Sequence, residues 1–148
     1  MLVREILRVK GGALYTTTPE QTLDAAIAAM AEFDVGSLVV IKDGRMAGIV
    51  TFREVLQTLN KAGGAGTAMA IGEVMVADPV TVCPDMEAND LRRLMIEKHS
   101  RYLPVLEGGQ LLGVISFLDV AKAVLEEQGL ENALLKNYIR NWPEDSAA

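Results

Sequence analysis

Hydrophobic and polar positions follow two different rhythms along this chain, and the rhythms come twice in the same order. Leu23, Ile27, Met30 and Ala31 recur at three- and four-residue spacing with Asp24 and Glu32 off the stripe; Leu91, Leu94 and Met95 do the same with Arg92 and Glu97 off it. That period predicts one amphipathic helix in each half. Ahead of each helix stands a short run, Thr16 to Thr18 or Val80 to Cys83, closed by Pro19 or Pro84, which suits a strand ending where a helix begins. Behind each helix, two apolar runs flank a turn: Ser37 to Ile41, Asp43-Gly44 and Met46 to Thr51, then Tyr102 to Leu106, Gly108-Gly109 and Leu111 to Ser116. Asp-Gly and Gly-Gly tolerate the positive φ of a tight hairpin turn. A second helix follows from Phe52 or Phe117, so each half reads strand, helix, strand, strand, helix.

The halves superpose at a constant offset of 65, without a gap, from Pro19/Pro84 to Val55/Val120. Identities include Met30/Met95, Glu32/Glu97, Leu38/Leu103, Val40/Val105, Gly44/Gly109, Gly48/Gly113 and Phe52/Phe117, and conservative pairs such as Thr51/Ser116 and Glu54/Asp119 lie between them. This is an internal duplication. Each copy is expected to carry its own lead-in, Val3 to Leu7 and Ile71 to Met75, with extra residues around Lys10-Gly11-Gly12 in the first. The expected fold is α/β (α+β): two β-α-β-β-α units packed with pseudo-twofold symmetry, plus a C-terminal helix. The expected boundaries are unit 1 over 1–62, a flexible linker over 63–69, unit 2 over 70–127, and an amphipathic helix and tail over 128–148. A single unit leaves one sheet face open, and two facing units close it around a cleft where a small ligand would sit.

Composition narrows the function. Half the residues are hydrophobic and 23% charged, and the net charge of −6 gives no positive field to collect nucleic acid or anionic lipid. No apolar run approaches the roughly 18 residues of a membrane span, and charges break the first residues, so a cytoplasmic protein without a membrane or nucleic-acid partner is expected. Cys83, the only cysteine, is read as a buried inert thiol; with one histidine, His99, the chain cannot assemble a zinc cluster of the usual kind. Neither a phosphate loop nor a nucleophile elbow occurs, and no catalytic residue is nominated.

The informative segment is Gly48-Ile-Val-Thr51-Phe-Arg53-Glu54 and its twin Gly113-Val-Ile-Ser116-Phe-Leu-Asp119. Hydroxyl and carboxylate three residues apart at a helix start form a capping box, which satisfies backbone amides and needs no ligand. The same helix start also offers amides and a positive dipole end to phosphate, and a carboxylate one turn in can accept a ribose diol. Glu54 is the better cap and the shorter Asp119 the better binder. Arg101 offers a planar multi-donor contact to phosphate, with His99 nearby and Arg53 a further candidate; a solvated helix end with a basic residue at its C-terminus explains both Arg101 and His99 without any ligand. Tyr102, Val82 and Pro104 can wall an adenine ring or simply pack.

With G-h-h-[ST]-x-x-[DE] at both closing turns, and G-S-L-V-V or R-Y-L-P-V on the middle strands, the chain resembles a tandem pair of CBS domains, a Bateman module, over about Val3 to Glu126. The resemblance implies non-catalytic, regulatory binding of an adenosine-containing ligand between the units: AMP first, with ADP, ATP, NAD or S-adenosylmethionine as alternatives and no structural metal. It nominates Thr81, Val82, Tyr102, Leu103, Pro104, Ser116 and Asp119, to which Arg101 is added. Thr17, Gly36, Ser37, Thr51, Arg53 and Glu54 form the corresponding weaker site, where Glu54 departs from the family's Asp. The stand-alone bacterial kind of pair acts on a protein in trans or buffers its ligand; the alternative is a structural adaptor or dimerisation protein with no nucleotide.

Beyond the repeats, Leu130, Leu134, Leu135, Tyr138, Ile139 and Trp142 recur at helical spacing up to Pro143. Such a stripe packs on its own chain or on a second copy, and the resemblance favours a homodimer.

Overall fold

A computed structural model describes residues 1–140. Helix α1 (Val3–Lys10) precedes β1 (Thr16–Thr17), α2 (Leu23–Phe33), β2 (Ser37–Lys42), β3 (Arg45–Thr51) and α3 (Phe52–Ala62). A 3₁₀ helix (Gly63–Ala68) leads to α4 (Ile71–Val74), β4 (Val76–Ala77), α5 (Ala88–Lys98), β5 (Tyr102–Glu107), β6 (Gln110–Ser116) and α6 (Phe117–Arg140). Both expected hairpins form, with Asp43, Gly44, Gly108 and Gly109 all at positive φ. Register slips at the same place in each, Val40/Ile41 and Val105/Leu106, so the duplication extends to the irregularities.

Four strands pair in the order β1-β2-β3-β4, with β1 parallel to β2 and the others antiparallel, while β5-β6 stand as a pair. The strand expected over Val80 to Cys83 contracts to one parallel bridge, Val82 with Val105, closed by Val82 N–H to the Pro104 carbonyl at 3.0 Å and Leu106 N–H to the Val82 carbonyl at 2.9 Å. Pro79, Pro84 and Pro104 supply no amide donors to lengthen that ladder. Val82 takes the inward position, so the alternation of side chains turns Cys83 outward: its thiol is exposed, not buried as expected.

The lead-ins cross between units, against the expectation that each copy keeps its own. Val3 and Ile6 of α1 are buried with Val82, Leu91, Met95, Leu103 and Ile115 of the second half. Val3 N–H donates to the Met86 carbonyl and Arg4 N–H to the Pro84 carbonyl, both at 2.9 Å, and the Arg4 guanidinium reaches Asp85 and Glu107 at 3.0 Å each. Ile71 of α4 is buried with Leu23, Met30, Leu38 and Val50 of the first half, and β4 pairs with β3. At Gly48 a Cβ would overlap the Val76 carbonyl, so that close strand approach requires glycine. The duplicated bodies are therefore laced together by exchanged segments.

The segment expected to be a flexible linker is the 3₁₀ helix, folded against α3 with Gly66 buried beside Thr58. Helix α6 runs without a break from the closing turn of the second half into the tail. Val120, Ala123 and Val124 bury its first turns, whereas Leu130, Leu134, Leu135, Tyr138 and Ile139 are exposed. Among the described residues the tail stripe is therefore solvent-facing, unlike the first turns of the same helix. Trp142 and Pro143 lie outside the described residues.

Candidate functional site

The two closing turns build different caps from the same pattern. At the start of α3 the buried Glu54 carboxylate accepts from Thr51 N–H at 2.7 Å and from its hydroxyl at 2.8 Å, while Thr51 Oγ1 accepts from Arg53 N–H at 3.2 Å. At the start of α6, Asp119 Oδ2 accepts from Ser116 N–H at 2.9 Å, and Asp119 N–H donates to Ser116 Oγ at 3.1 Å. The shorter acid does not bond the serine hydroxyl as Glu54 bonds that of Thr51, and instead it carries a cation. Lys10, at the C-terminal end of α1, places Nζ 2.8 Å from Asp119 Oδ2 and 2.7 Å from the Val114 carbonyl. Burial opposes ionisation of Asp119, but the Lys10 ammonium and the Ser116 bonds outweigh it and hold the carboxyl below the usual range.

Two cavities flank the contact between the halves. The first, about 410 Å³, is lined by Thr51, Phe52, Arg53 and Glu54 of one closing turn, by Val76, Pro79 and Val80, and by Ser100 to Leu103. The second, about 440 Å³, is lined by Ser116, Phe117 and Leu118 of the other turn, by Lys10 and Ala13 to Tyr15, by Asp34 to Ser37, and by Arg101 and Tyr102. These linings largely correspond at the offset of 65, so the cavities are a pseudosymmetric pair. Each joins the closing turn of one half to a strand start of the other. Both lie in the size range of ligand pockets.

Tyr102 separates them. Its ring lies over Gly36, where a Cβ would overlap the phenol and crowd the Phe52 ring, so glycine at 36 is what admits it. Burial raises the phenol's pKa, Arg101 opposes that rise and Asp119 adds to it. Arg101 lines both cavities. Arg53 is engaged, its guanidinium donating to the His99 carbonyl. His99 itself is the left-handed C-cap of α5 with an exposed side chain, so its backbone explains its place.

The nominated residues divide differently from the expected grouping. Arg101 and Tyr102 reach both cavities; Leu103 reaches the first, with Thr51, Arg53 and Glu54; Ser116 reaches the second, with Gly36 and Ser37. Asp119 stands behind Ser116 and Lys10, its two partners on the wall. Thr81, Val82 and Pro104 line neither: Thr81 is exposed, and the other two are buried at the Val82 bridge. Thr17 lines a separate shallow hollow with Thr16, Thr18, Gln21, Ala25 and Ile41. Free helix amides are fewer than expected, because Phe117 N–H donates to the Arg101 carbonyl at 2.7 Å and Phe52 N–H to the Gly36 carbonyl at 3.2 Å. Lys10 and Tyr15 are additions that the repeat alignment passed over, since Lys10 falls in the extra residues and has no counterpart at the offset. Among the described residues no cluster of His, Cys, Asp and Glu could hold a metal ion, and no helix is long and apolar enough to cross a membrane.

The CBS domain family model matches residues 3–61 and 71–126. A protein with CBS domains from Burkholderia ambifaria MC40-6 is 34% identical, with a TM-score of 0.81 over 86% of this chain and 96% of that one. The CBS domain-containing protein CBSX3, mitochondrial, of Arabidopsis thaliana is 29% identical over 93% of this chain and 71% of its own length. The CBS domain pair of protein MJ0100, solved in complex with 5′-methylthioadenosine and S-adenosyl-L-methionine, shares the fold at a TM-score of 0.75 and 17% identity, over 86% of this chain and 98% of that one.

Proposed function

The chain belongs to the CBS-domain family, as a tandem pair, and from that premise we propose that it is a non-catalytic regulatory module that binds an adenosine-containing ligand in the second cavity. CBS-pair proteins are generally regulatory. The observation that carries the reading is the turn from Ser116 to Asp119, set at a cavity between the halves with two cations, Lys10 and Arg101, on its wall. A hydroxyl and an ionised acid one turn apart suit a ribose, the cations suit phosphate, and Tyr15, Tyr102 and Phe117 offer faces for a purine. AMP is the leading ligand, with ATP, NAD and S-adenosylmethionine as competitors. That MJ0100 holds two adenosine derivatives supports this ligand class.

The output is a shift in the relation between the halves, read by a protein in trans. Self-association through α6 belongs to the same proposal. Leu130, Leu134, Leu135, Tyr138 and Ile139 stand exposed on its last turns, and Glu126 and Glu127 precede Lys136 and Arg140, so antiparallel copies would oppose unlike charges.

A thermal-shift series with AMP, ATP, NAD and S-adenosylmethionine tests the ligand. A ligand at a hundred times its Kd adds about 2.7 kcal/mol, and Asp119→Ala is expected to remove that gain while the variant stays folded. A midpoint that none of the four raises overturns the reading in favour of an adaptor without nucleotide.

A further inference from the structure

We infer that Lys10 is a displaceable gate on Asp119, and that the second cavity therefore selects adenosine ligands that carry phosphate over neutral or cationic ones. The inference rests on the nucleotide reading above and names the charge of the ligand. Asp119 does not itself face the cavity; Ser116 and Lys10 do, and the ammonium lies on Oδ2, the same oxygen that accepts from Ser116 N–H. A ribose diol that engages both oxygens of that acid must displace Lys10 from Oδ2. The side chain has room to move, because Lys10 also lines an adjoining hollow of about 320 Å³ with Arg4, Arg8 and Gly11. A Cβ at Gly11, at φ +96, or at Gly12 would meet nothing within 4 Å, so no side chain crowds the turn beside the lysine.

The exchange sets the selectivity. The acid and the ammonium are only about one-fifth and one-third exposed as side chains, so each loses much if left unpaired. A ribose diol brings two hydroxyl donors and can replace the lysine at Asp119. It brings nothing to the ammonium, which keeps only the Val114 carbonyl. A phosphate replaces the carboxylate as the partner of Lys10, and Arg101 on the same wall adds a second cation; Asp34, also on the wall, is the opposing charge. A sulfonium ligand adds positive charge beside the released lysine. The first cavity has no matching gate: Glu54 is bonded to Thr51, and Arg53 to the His99 carbonyl.

Isothermal titration of the full chain and of Lys10→Met and Lys10→Arg with adenosine, AMP and S-adenosylmethionine tests the gate, with circular dichroism confirming the fold of each variant. The wild type is expected to prefer AMP to adenosine by at least about tenfold, the scale of one charge-assisted contact, and to bind S-adenosylmethionine no more tightly than adenosine. Lys10→Met is expected to shrink the AMP preference severalfold by weakening AMP while sparing or tightening adenosine, and Lys10→Arg to retain it. An AMP-to-adenosine ratio near one in the wild type, or unchanged in Lys10→Met, overturns the gate while leaving nucleotide binding standing. Failure of all three compounds to bind the wild type removes the nucleotide reading itself.

Discussion

The exchanged lead-ins make a prediction that a pair of self-contained halves does not. Ile6 in α1 is 4% exposed in the core of the second half, and Ile71 in α4 is 0% exposed in the core of the first. Truncating either to alanine removes the same atoms, at a cost of about 2–5 kcal/mol for a buried site that relaxes only partly. Against a total stability of roughly 5–15 kcal/mol for a domain, many such variants remain folded at 25 °C. Native-state hydrogen exchange followed by mass spectrometry resolves where the loss falls, since each 1.4 kcal/mol of local stability is about a tenfold change in protection. Ile71→Ala is expected to speed exchange in α2 and β2 by about thirtyfold or more, with a smaller effect on α5 and β5. Ile6→Ala is expected to do the reverse. Acceleration of α5 and β5 by Ile71→Ala, with α2 protected as before, would refute the crossed packing.

Asp119 has a folded-state pKa below its ordinary value, so the stability it contributes is complete above the unfolded carboxyl's pKa and is lost as pH falls through the lower folded value. Urea titrations are expected to show stability falling less steeply below about pH 4 in Asp119→Asn than in the wild type; equal slopes would count against the Lys10 and Ser116 contacts. For the tail, sedimentation equilibrium is expected to give a dimer for the wild type and a monomer for Leu134→Glu with Leu135→Glu. Equal masses would place any subunit contact elsewhere than on α6.

The parts of the fold legible in the sequence are those set by local chemistry. Helical spacing at Leu23 to Ala31 and Leu91 to Met95 marks α2 and α5, and turn residues tolerant of positive φ mark both hairpins. Amphipathicity says that Val3 and Ile6 must be covered but not by what, and the crossing of α1 and α4 is therefore invisible to period and punctuation. The β-branched run at Val80 to Cys83 predicts a longer strand than forms, because such residues signal extended backbone whereas ladder length depends on donors that Pro79, Pro84 and Pro104 lack. Grouping site residues by repeat fails for a related reason: a cavity between pseudosymmetric halves takes its walls from both, so Ser116 shares a cavity with Gly36 and Ser37.

The difference between Glu54 and Asp119 was legible as one methylene, and the structure turns that methylene into a division of labour. Glu54 is long enough to fold back onto both the amide and the hydroxyl of Thr51, and it is buried there as a cap. The Asp119 carboxylate accepts from the Ser116 amide but not from its hydroxyl, whose oxygen accepts from Asp119 N–H instead, and the remaining charge draws in Lys10 from a segment that the repeat does not contain. A duplicated fold starts with two equal cavities. A shorter acid and one cation from the extra residues of the first lead-in make them unequal, giving one a settled cap beside Arg53 and the other an ion pair between Lys10 and Asp119. On the proposed reading that pair is the coupling element, because a contact made in one state and broken in another lets ligand charge alter how α1 is held on the second half.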